Sequence, residues 1–206
     1  ITNPLNYSRF YLPYIFPNLD RIIYLDGDIL VNGKIEELYF NPQFTPKYWF
    51  AAVDAHKLAI KYFNYNHSKM RGHLMTLFRH KDDIFNSGVY ITSLNKWRTH
   101  SITKKLESWS YLNAQSKSEL IYYSGTEAPL NLVFHPNNRI RLDCKWNMVT
   151  KWKKRYPISP QQASIIHFKG NLKPWEYKNT QKSKQIFYDM WNAVKSEYDR
   201  IGYVSI

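Results

Sequence analysis

The chain is expected to fold as an α/β domain, and two features of its sequence carry that expectation. Short apolar runs recur along it: RIIYL at 21–25, YWFAAVD at 48–54, SGVYIT at 87–92 and SIIHF at 164–168. Between and after these runs lie stretches whose apolar residues recur near a 3.6-residue period. Strands alternating with helices in this way build α/β sheets. No repeat, glycine-serine linker or low-complexity tract interrupts the pattern, so residues 1–206 are expected to form one domain.

Each element has its own justification. Residues 5–16, LNYSRFYLPYIF, read as a short helix broken by Pro13. The Ile- and Tyr-rich run 21–25 is a strand. KIEELY, 34–39, suits one or two helical turns before Pro42 interrupts. The strand at 48–54 is expected to finish on Asp54, and 55–83, rich in basic residues and histidine, to be helix or loop. After the strand 87–92, a helix is expected from Asn95 to about Trp109, because Leu94, Trp97, Ile102, Leu106 and Trp109 keep a helical period. Pro129 fits the first turn of a segment 129–135, or a turn beside it. A last amphipathic helix is expected from Gln181 to Glu197, with Ile186, Met190 and Val194 four apart on one side.

Composition bounds the partners. The chain has a formal net charge of +13, 44% apolar and 17% aromatic residues. Such a surface attracts anions, whether nucleic acid, acidic lipid or phosphorylated small molecules, and excess lysine also serves solubility. A single cysteine, Cys144, excludes an intrachain disulfide and a cysteine-rich zinc site, and it suits a reducing, cytoplasmic compartment. No run of eighteen apolar residues is present to span a membrane. The opening ITNPLNYSRFYLP carries polar residues and prolines where a targeting core would be apolar, and no signal sequence is expected.

The chemistry begins at RIIYLDGDILV, 21–31, where an apolar strand runs into Asp26-Gly27-Asp28. Unpaired carboxylates are costly to bury, so this pair is expected at the strand's end, facing something positive. Two aspartates two residues apart can converge on one cation, with Gly27 letting the backbone pass close to a bulky ligand. Hard oxygen donors favour Mg²⁺ or Mn²⁺, completed by substrate phosphates. DGD is also ordinary turn chemistry. A second cluster, HFKGNLKPW at 167–175, adds an imidazole at His167, a flexible backbone at Gly170 and a point charge for a diphosphate at Lys173. Blandly read, His167 is a core histidine and Trp175 a packed loop anchor.

Three stretches, IIYLDGDILV, FNSGVYITSLNKWR and IIHFKGNLKPW, stand in the order found in the retaining glycosyltransferases of family 8, which the chain closely resembles. The resemblance implies a GT-A fold, a mixed sheet flanked by helices. It also implies a UDP-sugar donor, a divalent metal, usually Mn²⁺ with Mg²⁺ as the alternative, and transfer of a hexose to a hydroxyl acceptor with retention. By the same resemblance Asp26, Asp28 and His167 are the metal ligands, while Gly170 and Lys173 face the diphosphate. Arg9 lies near the donor site, Asp54 bonds sugar hydroxyls, Asn86 and Ser87 line the sugar pocket, and Trp146-Asn147 matches a family step beyond it. Two departures stand out. Thr126 and Glu127, in GTEAPLN, occupy the positions of the family's Asp-Gln pair, which sits beside the anomeric carbon. Either Glu127 supplies the missing carboxylate one position over, or the site uses altered chemistry or a different sugar. The family also carries a strand-and-loop segment before the position of Arg9, with the first strand of the sheet and much of the uridine pocket. Without it a strand edge is open to pairing, and self-association and weak nucleotide affinity are expected.

The acceptor is left as a glycan, a protein or a glycolipid, with peripheral membrane contact compatible with the basic surface. A catalytically silent family member retained for binding is the main rival. A basic nucleic-acid-binding module, using aromatics and stretches such as KWKKR at 151–155, is the second, and no RNA-binding signature accompanies it.

Overall fold

A computed structural model describes residues 4–116, 118–123, 125–135, 139–170, 173–176 and 185–201, with the side chains of 56, 152 and 153 left aside. These residues group into two compact units, Ile1–Leu25 with Glu36–Asp143, and Asp26–Ile35 with Cys144–Ile206. The strands in chain order are β1 (Arg21–Leu25), β2 (Ile29–Val31), β3 (Phe50–Leu58), β4 (Asp83–Ser93), β5 (Ile140–Arg141), β6 (Met148–Val149) and β7 (Ile165–His167).

The first unit is built on a mixed four-stranded sheet in the order β1-β4-β3-β5. β4 pairs antiparallel with β1 and β3, while β5 runs parallel to β3. β4 is central and buried at every position but its ends, yet it carries Asn86 and Ser87. Polar residues in such a buried strand break the apolar pattern expected there and need partners of their own. β3 does not finish on Asp54. It runs on to Leu58 through register shifts on both sides of Asp54, and such bulges re-aim side chains while the pairing continues.

Helices cover this sheet. A 3-10 helix, Pro4–Tyr11, leads into α1 (Leu12–Ile15), where Pro13 stands in the first turn instead of breaking a helix. α2 (Glu36–Tyr39) is a single turn, within the one or two turns expected before Pro42. The mixed region 55–83 resolves into the end of β3, a turn at Ala59–Lys61, α3 (Arg71–Leu77) and the start of β4. The helix expected from Asn95 is two helices, α4 (Leu94–Thr99) and α5 (Ile102–Gln115). The break is at Ser101, whose φ of 52° is left-handed, and a 3.6-residue period carries across such a joint without showing it. Ser93 caps α4 by accepting from the Lys96 amide at 3.2 Å. α6 (Glu127–Val133) is buried throughout, with Pro129 in its first turn.

The core under these helices is largely aromatic. Phe50 stacks on Phe134 with ring centroids 3.8 Å apart, and Tyr24 on Tyr90 at 4.8 Å. Burying side chains of this size stabilises by about 1.5–3 kcal/mol each, so much of the chain's aromatic content is spent here.

The second unit holds a three-stranded sheet, β2-β7-β6, antiparallel then parallel. α7 (Gln185–Ile201) packs through Phe187, 3% exposed, and through Trp191, whose ring lies 6.1 Å from Phe168 and 5.2 Å from Trp175. Val194 is 43% exposed, so the buried ridge is not the expected Ile186–Met190–Val194 line. The expected helix start at 181–184 lies outside the described residues. Among the described residues no helix is long and apolar enough to cross a membrane.

Asn131 joins helix to sheet in the first unit. Its Oδ1 accepts from the Phe85 amide at 2.9 Å, and its Nδ2 donates to the carbonyls of Phe85 and Glu127 at 3.0 and 2.9 Å. The residue is fully buried, so Asn131→Ala strands backbone groups where water does not reach. The expected loss is about 2–4 kcal/mol, read as a lower urea midpoint with an unchanged m-value.

Candidate functional site

The Asp26–Asp28 pair occupies the turn between β1 and β2, as the strand-end argument required. Pairing in the second unit then selects its neighbour. Ile29 on β2 lies opposite His167 on β7, and the Phe168 amide donates to the Asp28 carbonyl at 2.8 Å. His167 Nε2 stands 3.1 Å from Asp28 Oδ1 and 3.8 Å from Asp26 Oδ2. One ligand atom from each of Asp26, Asp28 and His167 lies within 4.8 Å of the others, the separation a single bound cation needs.

The imidazole is set for this task. Val149 on β6 registers with His167, which places the preceding Asn147 so that its Oδ1 meets His167 Nδ1 at 3.1 Å. A bond at Nδ1 leaves Nε2 facing the carboxylates, the arrangement usual behind metal-ligating histidines. His167 is 1% exposed, while the Asp26 and Asp28 side chains keep 25% and 20% of their surface. Two carboxylates and an imidazole, partly open to a substrate, form a donor set that fits a divalent cation.

The positive partner expected of the aspartates is Lys173, whose Nζ bonds Asp28 Oδ2 and donates to the Phe168 carbonyl at 2.8 Å. Burial alone would raise the Asp28 carboxyl. Hydrogen bonds and charge from His167 and Lys173 outweigh burial and hold it well below the usual carboxylate range. Gly170 has φ +110°, a conformation that favours glycine, so its place in the motif has a backbone cause. Gly27 has none in this structure, since a Cβ there meets nothing within 4 Å and its φ is ordinary.

The remaining expected site residues belong to the first unit. Arg9 is 6% exposed; its Nη1 donates to the Ser87 carbonyl and Oγ at 3.1 and 3.3 Å, and its guanidinium lies 4.6 Å over the Tyr24 ring. Asn86 turns its Oδ1 to the Gly88 amide at 3.2 Å. Glu127, 8% exposed, accepts from the Tyr62 hydroxyl at 3.2 Å, and Thr126 beside it is also buried. Asp54 has both oxygens engaged, Oδ1 by Arg139 and Oδ2 by Arg141 at 3.2 Å. The Arg139 side chain is entirely buried and also bonds the Asp83 carbonyl. Burial depresses its pKa and Asp54 opposes that, so the carboxylate is the counter-ion of a buried cation as well as a sugar-facing candidate.

Sequence reasoning had not found Tyr62, Lys57 or Arg139, and no local pattern announces them. Asn147 was matched by resemblance without a role; the structure makes it the support of His167.

A mixed sheet flanked by helices is a GT-A-like architecture. The chain belongs to glycosyl transferase family 8, whose sequence model matches residues 1–179. It is 32% identical over 193 residues to human glycosyltransferase 8 domain-containing protein 1, an alignment covering 84% of this chain and 51% of that protein. The chain thus spans about half the length of that relative. Among solved structures it superposes on the galactosyltransferase LgtC, in complex with donor and acceptor sugar analogs, with a TM-score of 0.64 at 20% identity, covering 91% of this chain and 66% of the other. The apo glycosyltransferase GlyE of Streptococcus pneumoniae gives 0.63 at 18% identity, over 97% and 47%.

Two substitutions test this geometry. Asp54→Ala leaves Arg139 buried beside fewer counter-charges and is expected to cost about 3–5 kcal/mol of stability, measured by urea unfolding. Gly170→Ala is expected to cost about 1–3 kcal/mol from backbone strain alone, because a Cβ there also meets nothing within 4 Å. Gly27→Ala is the matched control, expected to stay within about 0.5 kcal/mol of the parent in the same experiment.

Proposed function

We propose that this protein transfers a hexose from a UDP-sugar to a hydroxyl of an acceptor, with retention at the anomeric carbon, using a divalent cation held by Asp26, Asp28 and His167. The observation that carries the reading is the convergence of those three side chains in a family 8 chain. Mn²⁺ suits a site with an imidazole donor better than Mg²⁺, which prefers an all-oxygen shell. A cation there offsets the charge developing on the leaving diphosphate.

The chain's own groups supply the rest. Lys173 bonds the Asp28 carboxylate in this structure; with that charge engaged by a cation, its ammonium turns to a diphosphate oxygen as a point charge. The Gly170 turn lets backbone amides approach the same phosphates. Arg9 and Ser87, already bonded to each other, meet the donor together, while Asp54 and Asn86 take sugar hydroxyls. Glu127 is the carboxylate beside the anomeric carbon, where positive charge grows during transfer. The reading takes residues 1–206 as one transferase domain. Its acceptor is a glycan, a protein or a glycolipid, and the +13 net charge favours one that is anionic or presented at a membrane face. β1 stands at one edge of its sheet and is the proposed place for self-association.

Calorimetric titration of UDP with and without Mn²⁺ tests the donor site. Binding is expected to require Mn²⁺, to be lost in Asp28→Ala, and to weaken about 10–100-fold in Asn147→Ala, which keeps every ligand but removes the bond at His167 Nδ1. Equal binding without the metal, or in both variants, overturns the proposal. Mn²⁺-dependent UDP binding with no transfer from any UDP-hexose identifies the silent, binding-only alternative.

A further inference from the structure

Glu127 opens α6 in a setting where a carboxylate is expensive. It is 8% exposed, and the residues after it, Ala128 and Leu130, have no exposed surface. Tyr62, from the end of the Ala59–Lys61 turn, donates to its Oε1 at 3.2 Å. Behind Tyr62 stands Lys57, whose Nζ donates to the phenol oxygen at 2.6 Å and lies 4.9 Å from the ring centroid. A phenol has one hydrogen to give. With Lys57 donating to the phenol oxygen, that hydrogen is left for Glu127, so the order Lys57, Tyr62, Glu127 has one direction. Burial, and then the charge of Glu127, push the Tyr62 hydroxyl far above its ordinary pKa, so it remains a donor throughout the working pH range.

The backbone is held as firmly as the side chain. Asn131 Nδ2 donates to the Glu127 carbonyl at 2.9 Å while binding both polar groups of Phe85 on β4. Lys57 comes from the irregular stretch of β3 beyond Asp54, where the register with β4 shifts before Leu58. A charged chain of this kind is an uneconomical way to pack a helix against a sheet. Apolar side chains of similar volume would serve packing as well or better, which marks the chain as serving orientation.

We propose that Tyr62, directed by Lys57, is a positioning residue that fixes the Glu127 carboxylate in the sugar pocket. The proposal rests on the function proposed above, in which Glu127 faces the anomeric carbon. In this role Lys57 and Tyr62 act through the Glu127 carboxylate.

The test measures UDP affinity with Mn²⁺ by calorimetry, and kcat and KM for turnover of UDP-glucose and UDP-galactose, counting transfer to water as turnover. Tyr62→Phe removes only the hydroxyl and keeps the ring. It is expected to leave UDP affinity and KM unchanged and to lower kcat about 10–100-fold, the worth of one hydrogen bond to a charged group. Lys57→Met is expected to lower kcat in the same direction by less. Tyr62→Phe combined with Glu127→Gln is expected to be no slower than Glu127→Gln alone, because the two act as one unit.

Wild-type kcat in Tyr62→Phe, or losses that multiply in the double variant, overturns the proposal. So does a fall confined to KM. A parent chain that binds UDP with Mn²⁺ but turns over neither sugar overturns the positioning role and leaves the donor site standing. A parent chain that does not bind UDP removes the proposed function and this inference with it.

Discussion

The backbone bond from the Phe168 amide to the Asp28 carbonyl closes a pairing between two three-residue strands that lie far apart in the chain. Much of the second unit's chemistry depends on it. The bond places His167 against Asp28 and brings the HFKGNLKPW stretch to the turn that carries both aspartates. Because β6 pairs with β7 on the other side, Asn147 arrives behind the imidazole and sets which nitrogen faces forward. Short strands are weak alone, so side chains reinforce this pairing: Lys173 bridges the Phe168 carbonyl and the Asp28 carboxylate. One pairing thus serves both stability and the site.

The first unit treats charge in a similar way. Asp54 lies on a buried strand, and its two oxygens are engaged by two arginines, one of them inaccessible to water. Arg9 is inserted between the Tyr24 ring and the Ser87 hydroxyl. Each of these groups is held by its partners and has limited freedom. Their engagement also means that a change at Asp54 acts on folding, through the counter-charge of the buried Arg139.

Much of the fold was visible in the chain's pattern. Arg21–Leu25 was expected as a strand and is one, and the run around 164–168 holds β7, because apolar side chains in a short bounded run leave few alternatives. Other elements were missed or drawn with different bounds, for identifiable reasons. β2, β5 and β6 are two or three residues long, too short for any period to register. The α4–α5 joint hides because a single left-handed serine interrupts the backbone without disturbing apolar spacing. β3 continues past Asp54 because a bulge accommodates a charged residue that propensity alone would treat as a stop.

What the sequence determined by itself is chemical inventory and order: two aspartates across a glycine, a histidine followed by glycine and lysine, and polar residues set into an apolar strand. These follow from residue identity, and local order along the chain is enough to see them. What the tertiary structure alone decided is partnership. Asn131 with Phe85, Arg139 with Asp54, Asn147 with His167, and Tyr62 between Lys57 and Glu127 are pairings set by strand register and helix placement. Each buried polar group needs a partner, and that need is readable from any sequence. Which partner satisfies it depends on distances that exist only once the sheets have formed.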